Sequence, residues 1–164
     1  MSSPPPWPKP DHKPLIGLVD RANRALQADM VREAQGRGYD WAKYAHNAVF
    51  GTLSSSGDRA TDMAARAGIT RQSMGEVIRE LVGLGVLEMT PDPEDRRAKL
   101  VKYTPAGREM ATTGRQHIID LERRFADEFG EKDYEVARRV LERVADILDE
   151  VHEEGLRRTR KDPA

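Results

Sequence analysis

The spacing of the apolar residues changes once in the middle of this chain, and that change limits the folds it can adopt. Up to Gly85 the apolar residues recur every three or four positions, which is typical of helices that bury one face. Residues 86–90 and 99–103 instead alternate, and a polar, charged run at 91–98 separates them. This pattern predicts a β-hairpin with a long tip between two sets of helices. The expected fold class is mainly α with one two-stranded hairpin.

Capping residues and glycines set the ends of the predicted helices. A short polar side chain before an apolar run favours a helix start, and glycine favours its end. These signals predict six helices: one from Leu15 to Gly36 and Gly38, a second capped by Asp40, a third capped by Asp58, a fourth from Arg71 capped by Thr70, a fifth from Thr104 and Pro105 to Gly130, and a sixth from Asp133 to Val151.

The composition excludes several classes of protein. The 164 residues include no cysteine, so the chain forms no disulfide and holds no metal through thiolates. No run approaches 18 apolar residues, and residues 1–14 lack a hydrophobic signal region, so we expect a cytoplasmic protein without membrane contact. No nucleophile–base pair, glycine-rich phosphate loop or carboxylate pair stands out. We therefore expect neither an enzyme nor a bound metal or cofactor.

The third and fourth helices, followed by the hairpin, have the order of a winged helix-turn-helix. In that arrangement the second of the two helices can lie in the major groove of DNA. Its early exposed residues are candidates for contacts with bases and phosphates: Thr70, Arg71, Gln72, Ser73, Gly75, Glu76 and Arg79. At the hairpin, Arg96, Arg97 and Lys99 are candidate DNA-binding cations, and we expect Asp95 to orient an arginine there.

Two interpretations stay open at this point. Glu76 could accept a hydrogen bond from a cytosine amino group, or it could pair with Arg79 on a solvated helix face. Residues 58–109 contain nine basic and nine acidic residues, so a winged helix here could also be a protein-interaction module without sequence-specific DNA binding. In that alternative the proline-rich run PPPWPKP near the N-terminus would be the docking segment.

The apolar faces of the first, fifth and sixth helices exceed what a compact winged unit can cover. We therefore expect them to form a homodimer interface. The predicted organisation has four parts: a disordered, proline-rich arm at 1–14, a helical dimerisation domain at 15–38 and 104–152, a winged helix-turn-helix DNA-binding domain at 40–103, and a basic tail at 153–164.

The segment DMAARAGITRQSMGEVIRELVGLGVLEMTPDPEDRRAKLVKYTPAGREM closely resembles the MarR family of bacterial transcription regulators. The wing PDPEDRRAKLV and the helix start TPAGRE carry the most specific part of the resemblance. It implies an obligate homodimer that binds a pseudo-palindromic operator in double-stranded DNA. Family members are usually repressors, and many release DNA when a small, often aromatic or phenolic, effector binds.

The resemblance also assigns roles by position. It implies that residues 70–73 start the recognition helix, that Asp95 braces an arginine, and that Arg97 enters the minor groove. The second helix borders the ligand cleft in this family, which makes three of its residues candidate ligand-binding residues: Trp41, Tyr44 and His46. Two places depart from the family pattern: Glu76, with Gly75 beside it, stands where a basic residue is common, and Met89 stands where a strand arginine is common. The usual phosphate contacts at these two places are therefore not carried over.

Overall fold

The computed structural model describes residues 12–95 and 97–161, with side chains as far as Val151. The elements in these ranges follow in this order: α1 Leu15–Gly36, a 3-10 turn Tyr44–His46, α2 Asn47–Phe50, α3 Ala60–Ala67, α4 Arg71–Gly83, β1 Leu87–Pro91, β2 Lys99–Tyr103, α5 Pro105–Phe129 and α6 Glu131–Lys161. The two strands pair antiparallel, so the predicted fold class is confirmed. Most of the predicted proline-rich arm, residues 1–11, lies outside the described residues.

The chain divides within α5 into two compact units, of which the first ends at His117 and the second begins at Ile118. The core of the first unit lies between α2, α3, α4, the hairpin and the start of α5. Its fully buried apolar side chains are Val49, Met63, Met74, Ile78, Leu81, Leu87 and Val101. Because α4 contributes three of these at spacings of three and four residues, its opposite face is left for solvent.

The start of α5 is fastened to the end of the chain segment that precedes β1. Thr104 caps the helix by accepting a hydrogen bond from the Gly107 N–H (3.0 Å). Its own N–H donates to the Val86 carbonyl (3.0 Å), and its hydroxyl donates to the Gly85 carbonyl (2.6 Å). A Cβ atom at Gly107 would lie 1.9 Å from the Val86 carbonyl oxygen, so this close approach requires glycine.

The prediction that Asp58 caps the third helix is wrong. The helix begins at Ala60, and Asp58 instead forms an isolated antiparallel bridge with Val101. Its carboxylate accepts a hydrogen bond from the Ser54 N–H (2.6 Å) and pairs with Arg66 (2.6 Å). Burial alone would raise the pKa of Asp58, but these hydrogen bonds outweigh it and lower the pKa. The backbone cannot serve both as a strand partner and as a helix cap.

The second helix is much shorter than predicted. No helix begins directly at Asp40. The first helical residues after it form the 3-10 turn Tyr44–His46, and α2 starts at Asn47. The Ala42 N–H donates to the Tyr39 carbonyl (2.8 Å) and closes a turn, and the Trp41 ring packs edge-on against the Tyr39 ring at 5.8 Å. These contacts hold residues 39–43 out of a helix, which shows packing overriding a local capping signal.

The second unit contains the end of α5 and the long helix α6. Gly130 joins them with a φ of +86°, and the rings of Phe125 and Tyr134 lie 6.4 Å apart. Helix α6 has 31 residues and starts at Glu131, so it is longer than predicted and includes the predicted basic tail as far as Lys161. None of the helices in the described ranges has the length and apolar character needed to cross a bilayer.

Candidate nucleic-acid interface

The turn between α3 and α4 places the N-terminus of α4 at the protein surface. Gly68 ends α3 in the left-handed region at a φ of +65°. Thr70 then caps α4, since its hydroxyl oxygen accepts a hydrogen bond from the Ser73 N–H (3.1 Å). The two hydroxyl oxygens lie 2.8 Å apart. Thr70 and Ser73, both sequence candidates for DNA contacts, therefore also build the cap.

The outer face of α4 carries the remaining candidates of this helix. Arg71, Gln72, Glu76 and Arg79 are all exposed. The amide Nε2 of Gln72 donates to Glu76 Oε1 (3.1 Å), so the alternative in which Glu76 pairs with Arg79 is not what the structure contains. The Arg79 guanidinium instead lies over Gly75, whose added Cβ would be 3.3 Å from Nη1. Neither Arg71 nor Arg79 forms an ion pair with a described residue.

The hairpin tip presents one described arginine to solvent. The Asp95 carboxylate accepts a hydrogen bond from the Arg97 backbone N–H (3.0 Å), and its carbonyl accepts one from the Ala98 N–H (2.8 Å). Asp95 thus braces the main chain of Arg97, and no contact with a guanidinium is formed among the described residues. Both Arg97 and Lys99 are exposed. Arg96, the third cation predicted here, lies outside the described residues.

An ion pair between the buried Asp92 carboxylate and the partly exposed Arg59 fixes the base of the hairpin, and sequence reasoning missed it. Asp92 is 5% exposed and accepts hydrogen bonds from Arg59 Nε (2.7 Å) and Nη2 (2.6 Å). The Glu94 N–H donates to the other carboxylate oxygen (2.9 Å). These donors, the Glu94 N–H first, hold the pKa of Asp92 below its ordinary value. The pair connects the residue before α3 to the hairpin across 33 positions of sequence.

A partly open cavity lies between α1, the 3-10 turn with α2, and α5. Its empty volume is about 560 Å³, counting the part that is open to solvent. The wall is mostly apolar, and the polar residues in it are Glu33, Arg37, Lys43, His46, Asn47 and Thr113. Of the three candidate ligand-binding residues, only His46 lines this cavity. Trp41 packs edge-on against His46 at 5.5 Å, and Tyr44 is half exposed.

Two residues of the cavity wall also contact α4. Lys43 Nζ pairs with Glu80 Oε1 (2.7 Å), and His46 Nε2 lies 3.5 Å from the same oxygen without a hydrogen bond. Because His46 Nδ1 accepts a hydrogen bond from the Lys43 N–H (3.3 Å), Nε2 carries the proton in the neutral ring. Burial lowers the pKa of His46 and so favours that neutral form.

A second histidine connects α1 to α5 near the cavity. His117 Nε2 lies 2.7 Å from Asp29 Oδ2, and its Nδ1 lies 3.9 Å from Glu33 Oε2. The hydrogen bond with His117 is the main reason that the pKa of Asp29 is lowered. Sequence reasoning missed this pair, because 88 positions separate the two residues. Among the described residues, no group of three or more His, Asp or Glu side chains could hold a metal ion.

Comparison with known proteins finds a match for the hairpin and for the two helices before it. A family model described as a winged helix DNA-binding domain matches residues 55–107, from the turn before α3 to the start of α5. No curated protein sequence matches the chain.

Solved structures agree over most of the length. A MarR protein from Peptoclostridium difficile superposes with a TM-score of 0.72 at 13% identity, covering 92% of this chain and 96% of that one. A structure of MarR superposes with a TM-score of 0.71 at 19% identity, covering 90% of this chain and 99% of that one. The MepR chain in a complex of S. aureus MepR with DNA superposes with a TM-score of 0.68 at 14% identity, covering 84% of this chain and 99% of that one.

The first unit therefore contains a winged helix DNA-binding domain, in which α3 and α4 form the helix-turn-helix and β1 and β2 form the wing. More particularly, the chain has the fold of the MarR family of transcription regulators. The family resemblance predicted from the sequence is confirmed in this respect.

Proposed function

We propose that this chain is a sequence-specific transcription regulator, acting in the cytoplasm, that binds a pseudo-palindromic operator as a homodimer. The observation that carries the proposal is the outer face of α4, where Arg71, Gln72 and Arg79 are exposed and the two arginines form no ion pair with described residues. Two other cations of the same unit, Arg59 and Arg66, are neutralised by carboxylates. Unpaired cations beside a polar amide suit a phosphate-lined groove.

In this proposal α4 lies in the major groove and the wing reaches the neighbouring minor groove. Arg71 and Gln72 contact base edges, since guanidinium and amide groups can form paired hydrogen bonds with them. Arg97 extends from the wing tip, where Asp95 holds its backbone, toward the negative potential of the minor groove. The capped N-terminus of α4 offers Thr70 and Ser73 to a phosphate.

The proposed homodimer covers apolar surface that each unit exposes by itself. In the second unit, Val140, Leu141 and Leu148 of α6 are 50%, 47% and 62% exposed. In the first unit, Ile16 and Leu18 of α1 are 80% and 45% exposed. Exposed apolar stripes of this extent are typical of protein–protein interfaces. A twofold dimer would also give two winged domains for the two halves of a palindrome.

We also propose that a small-molecule effector binds in the cavity and weakens DNA binding, so that the regulator is a ligand-responsive repressor. The wall of the cavity is mostly apolar with a few polar groups, as in small-molecule sites. Lys43 lines the cavity, so an anionic or hydrogen-bond-accepting occupant would compete with Glu80 for the Lys43 ammonium. Since Glu80 belongs to α4, the loss of that ion pair would loosen the recognition helix.

Selection of bound sequences from a random duplex library at about 150 mM salt tests the DNA-binding proposal. We expect the wild type to enrich one pseudo-palindrome with half-sites about one helical turn apart. Arg97→Ala should weaken binding to the enriched site about tenfold and reduce its salt dependence, because one phosphate-groove cation is lost. Arg24→Ala, which removes the same charge from α1, is the matched control and should leave the affinity unchanged.

The balanced charge of residues 58–109 favours a second candidate, a winged-helix protein-interaction module. This candidate predicts that the folded protein enriches no sequence and binds DNA weakly, with equal losses on all sequences when a cation is removed. Deletion of residues 2–13 separates the two candidates further. It should leave operator affinity nearly unchanged in a regulator and abolish partner capture in an interaction module.

A further inference from the structure

The negative charge of Glu76 on the proposed recognition helix would weaken the attraction of α4 for DNA, so we looked for what else this side chain does. It lies on the exposed face of the proposed recognition helix, one turn beyond Gln72. A carboxylate near phosphates reduces the non-specific affinity for DNA. Arg79 lies over Gly75 and forms no ion pair with a described residue. Among the described residues, the one hydrogen-bond partner of Glu76 is the side-chain amide of Gln72, at 3.1 Å.

The contact decides which way the Gln72 amide faces. An amide has two donors on its nitrogen and an acceptor on its oxygen, and an isolated glutamine can present either end. A carboxylate only accepts hydrogen bonds, so only the nitrogen of Gln72 can face Glu76. The remaining N–H and the carbonyl oxygen are left for another partner. The orientation therefore follows from the chemistry of the pair.

An oriented amide of this kind has one matching base in the major groove. Adenine offers N7 as an acceptor beside its N6 amino group as a donor, and a glutamine can bind both at once. Cytosine offers only the N4 amino group, guanine offers two acceptors, and thymine offers the O4 acceptor beside a methyl group. The free N–H and carbonyl oxygen of Gln72 together match adenine and none of these three.

We propose that Glu76 is a positioning residue that fixes the Gln72 amide to select an adenine in each half of the operator. This inference rests on the proposed function, because it assumes that α4 enters the major groove. Glu76 itself touches no base in this arrangement. It lowers the affinity for DNA in general and raises the preference for one base pair.

Two variants of Glu76 separate its charge from its hydrogen bond. Glu76→Gln and Glu76→Ala each remove one negative charge, so both should raise the affinity for random-sequence DNA by a similar factor. Glu76→Gln keeps an oxygen that accepts from Gln72, whereas Glu76→Ala does not. Glu76 is exposed on a helix, so the helical content of both variants, measured by circular dichroism, should match that of the wild type.

The experiment repeats the library selection with the wild type, Glu76→Gln, Glu76→Ala and Gln72→Ala, followed by titration of duplexes that differ at one base pair. We expect the wild type to prefer adenine about tenfold at one position of each half-site. Glu76→Gln should retain only part of that preference, because its amide can also donate to the Gln72 oxygen and so can hold the Gln72 amide in either orientation. Glu76→Ala should reduce it to about threefold or less, and Gln72→Ala should abolish it at that position alone.

Four results would overturn the inference. Glu76→Ala could retain the full adenine preference, in which case Gln72 needs no positioning. The position could prefer cytosine and lose that preference in both Glu76 variants, in which case the carboxylate contacts the base directly. If the wild type enriches no sequence, the proposed function fails and the inference falls with it. An enriched palindrome with no dependence on Gln72 refutes only the inference.

Discussion

At the level of single residues, the winged domain is held in shape by carboxylates that sequence inspection assigns to other roles. Asp92 pairs with Arg59 at the root of the wing, and Asp58 pairs with Arg66 beside α3. Asp95, predicted to orient an arginine, accepts a hydrogen bond from the Arg97 backbone N–H. Each acid thus neutralises or orders a structural group, which leaves Arg71 and Arg97 unpaired for another partner.

The Asp92–Arg59 pair predicts a pH dependence of stability. Because the pKa of Asp92 is lowered in the folded chain, its contribution is complete above its ordinary value of 3.8 and is lost as the pH falls through the folded-state pKa. Asp92→Asn should therefore lower the urea midpoint at pH 7, and the difference from the wild type should shrink below about pH 3.8. Equilibrium unfolding across this pH range measures it.

Asp40→Asn is the matched control, since Asp40 is exposed and forms no ion pair with a described residue. Its unfolding midpoint should stay near that of the wild type at every pH. An Asp92→Asn protein as stable as the wild type at pH 7 would contradict a structural role for the pair at the wing root.

At the level of elements, the wing and α5 are joined through one close backbone approach. Thr104 binds the carbonyls of Gly85 and Val86 while it caps α5. The motif read in the sequence as a helix start is therefore also the link between the wing and the long helix. Gly107 permits that link by leaving room for the Val86 carbonyl.

Gly107→Ala should destabilise the protein by about 1–3 kcal/mol, because the added methyl group meets backbone rather than a movable side chain. Thermal or urea unfolding measures the change. Gly83→Ala on α4 is the control, since a Cβ there meets nothing within 4 Å and alanine favours a helix by up to about 1 kcal/mol. Equal stability of the two variants would contradict the close approach described for Gly107.

At the level of the whole molecule, the helices outside the winged domain expose more apolar surface than a monomer in water is expected to keep. The stripe on α6 runs along residues 136–151 and includes Val140 and Leu148. The stripe on α1 includes Ile16, which is 80% exposed. The proposed homodimer explains both stripes by one cause, and it makes the oligomeric state the most direct test of the overall assembly.

Val140→Glu should shift the protein from dimer toward monomer, because it places a charge in the proposed interface, where it would be desolvated without a partner. Sedimentation equilibrium measures this against the 18.5 kDa monomer mass. Arg139→Gln changes the net charge by the same amount on the charged side of α6 and should leave the dimer intact. A wild-type protein that is monomeric at micromolar concentration would refute the homodimer.

The local sequence was enough to predict much of the fold. The change of period between 86 and 103 predicts the hairpin, the Thr70 and Thr104 caps place the starts of α4 and α5, and Gly130 ends α5. These features depend on residues within about four positions of each other, so propensity and capping determine them. The outward residues of α4 follow from the same helical period.

Contacts between distant residues could not be predicted in this way. Arg59 meets Asp92 across 33 positions and Asp29 meets His117 across 88, and nothing near either residue marks its partner. The same holds for the cavity beside His46 and for the turn at 39–43 that replaces the predicted second helix. These pairs form only when the helices and the hairpin pack together. A charged group that becomes desolvated then pairs with the opposite charge that the fold brings near it, because an unpaired charge away from water is costly.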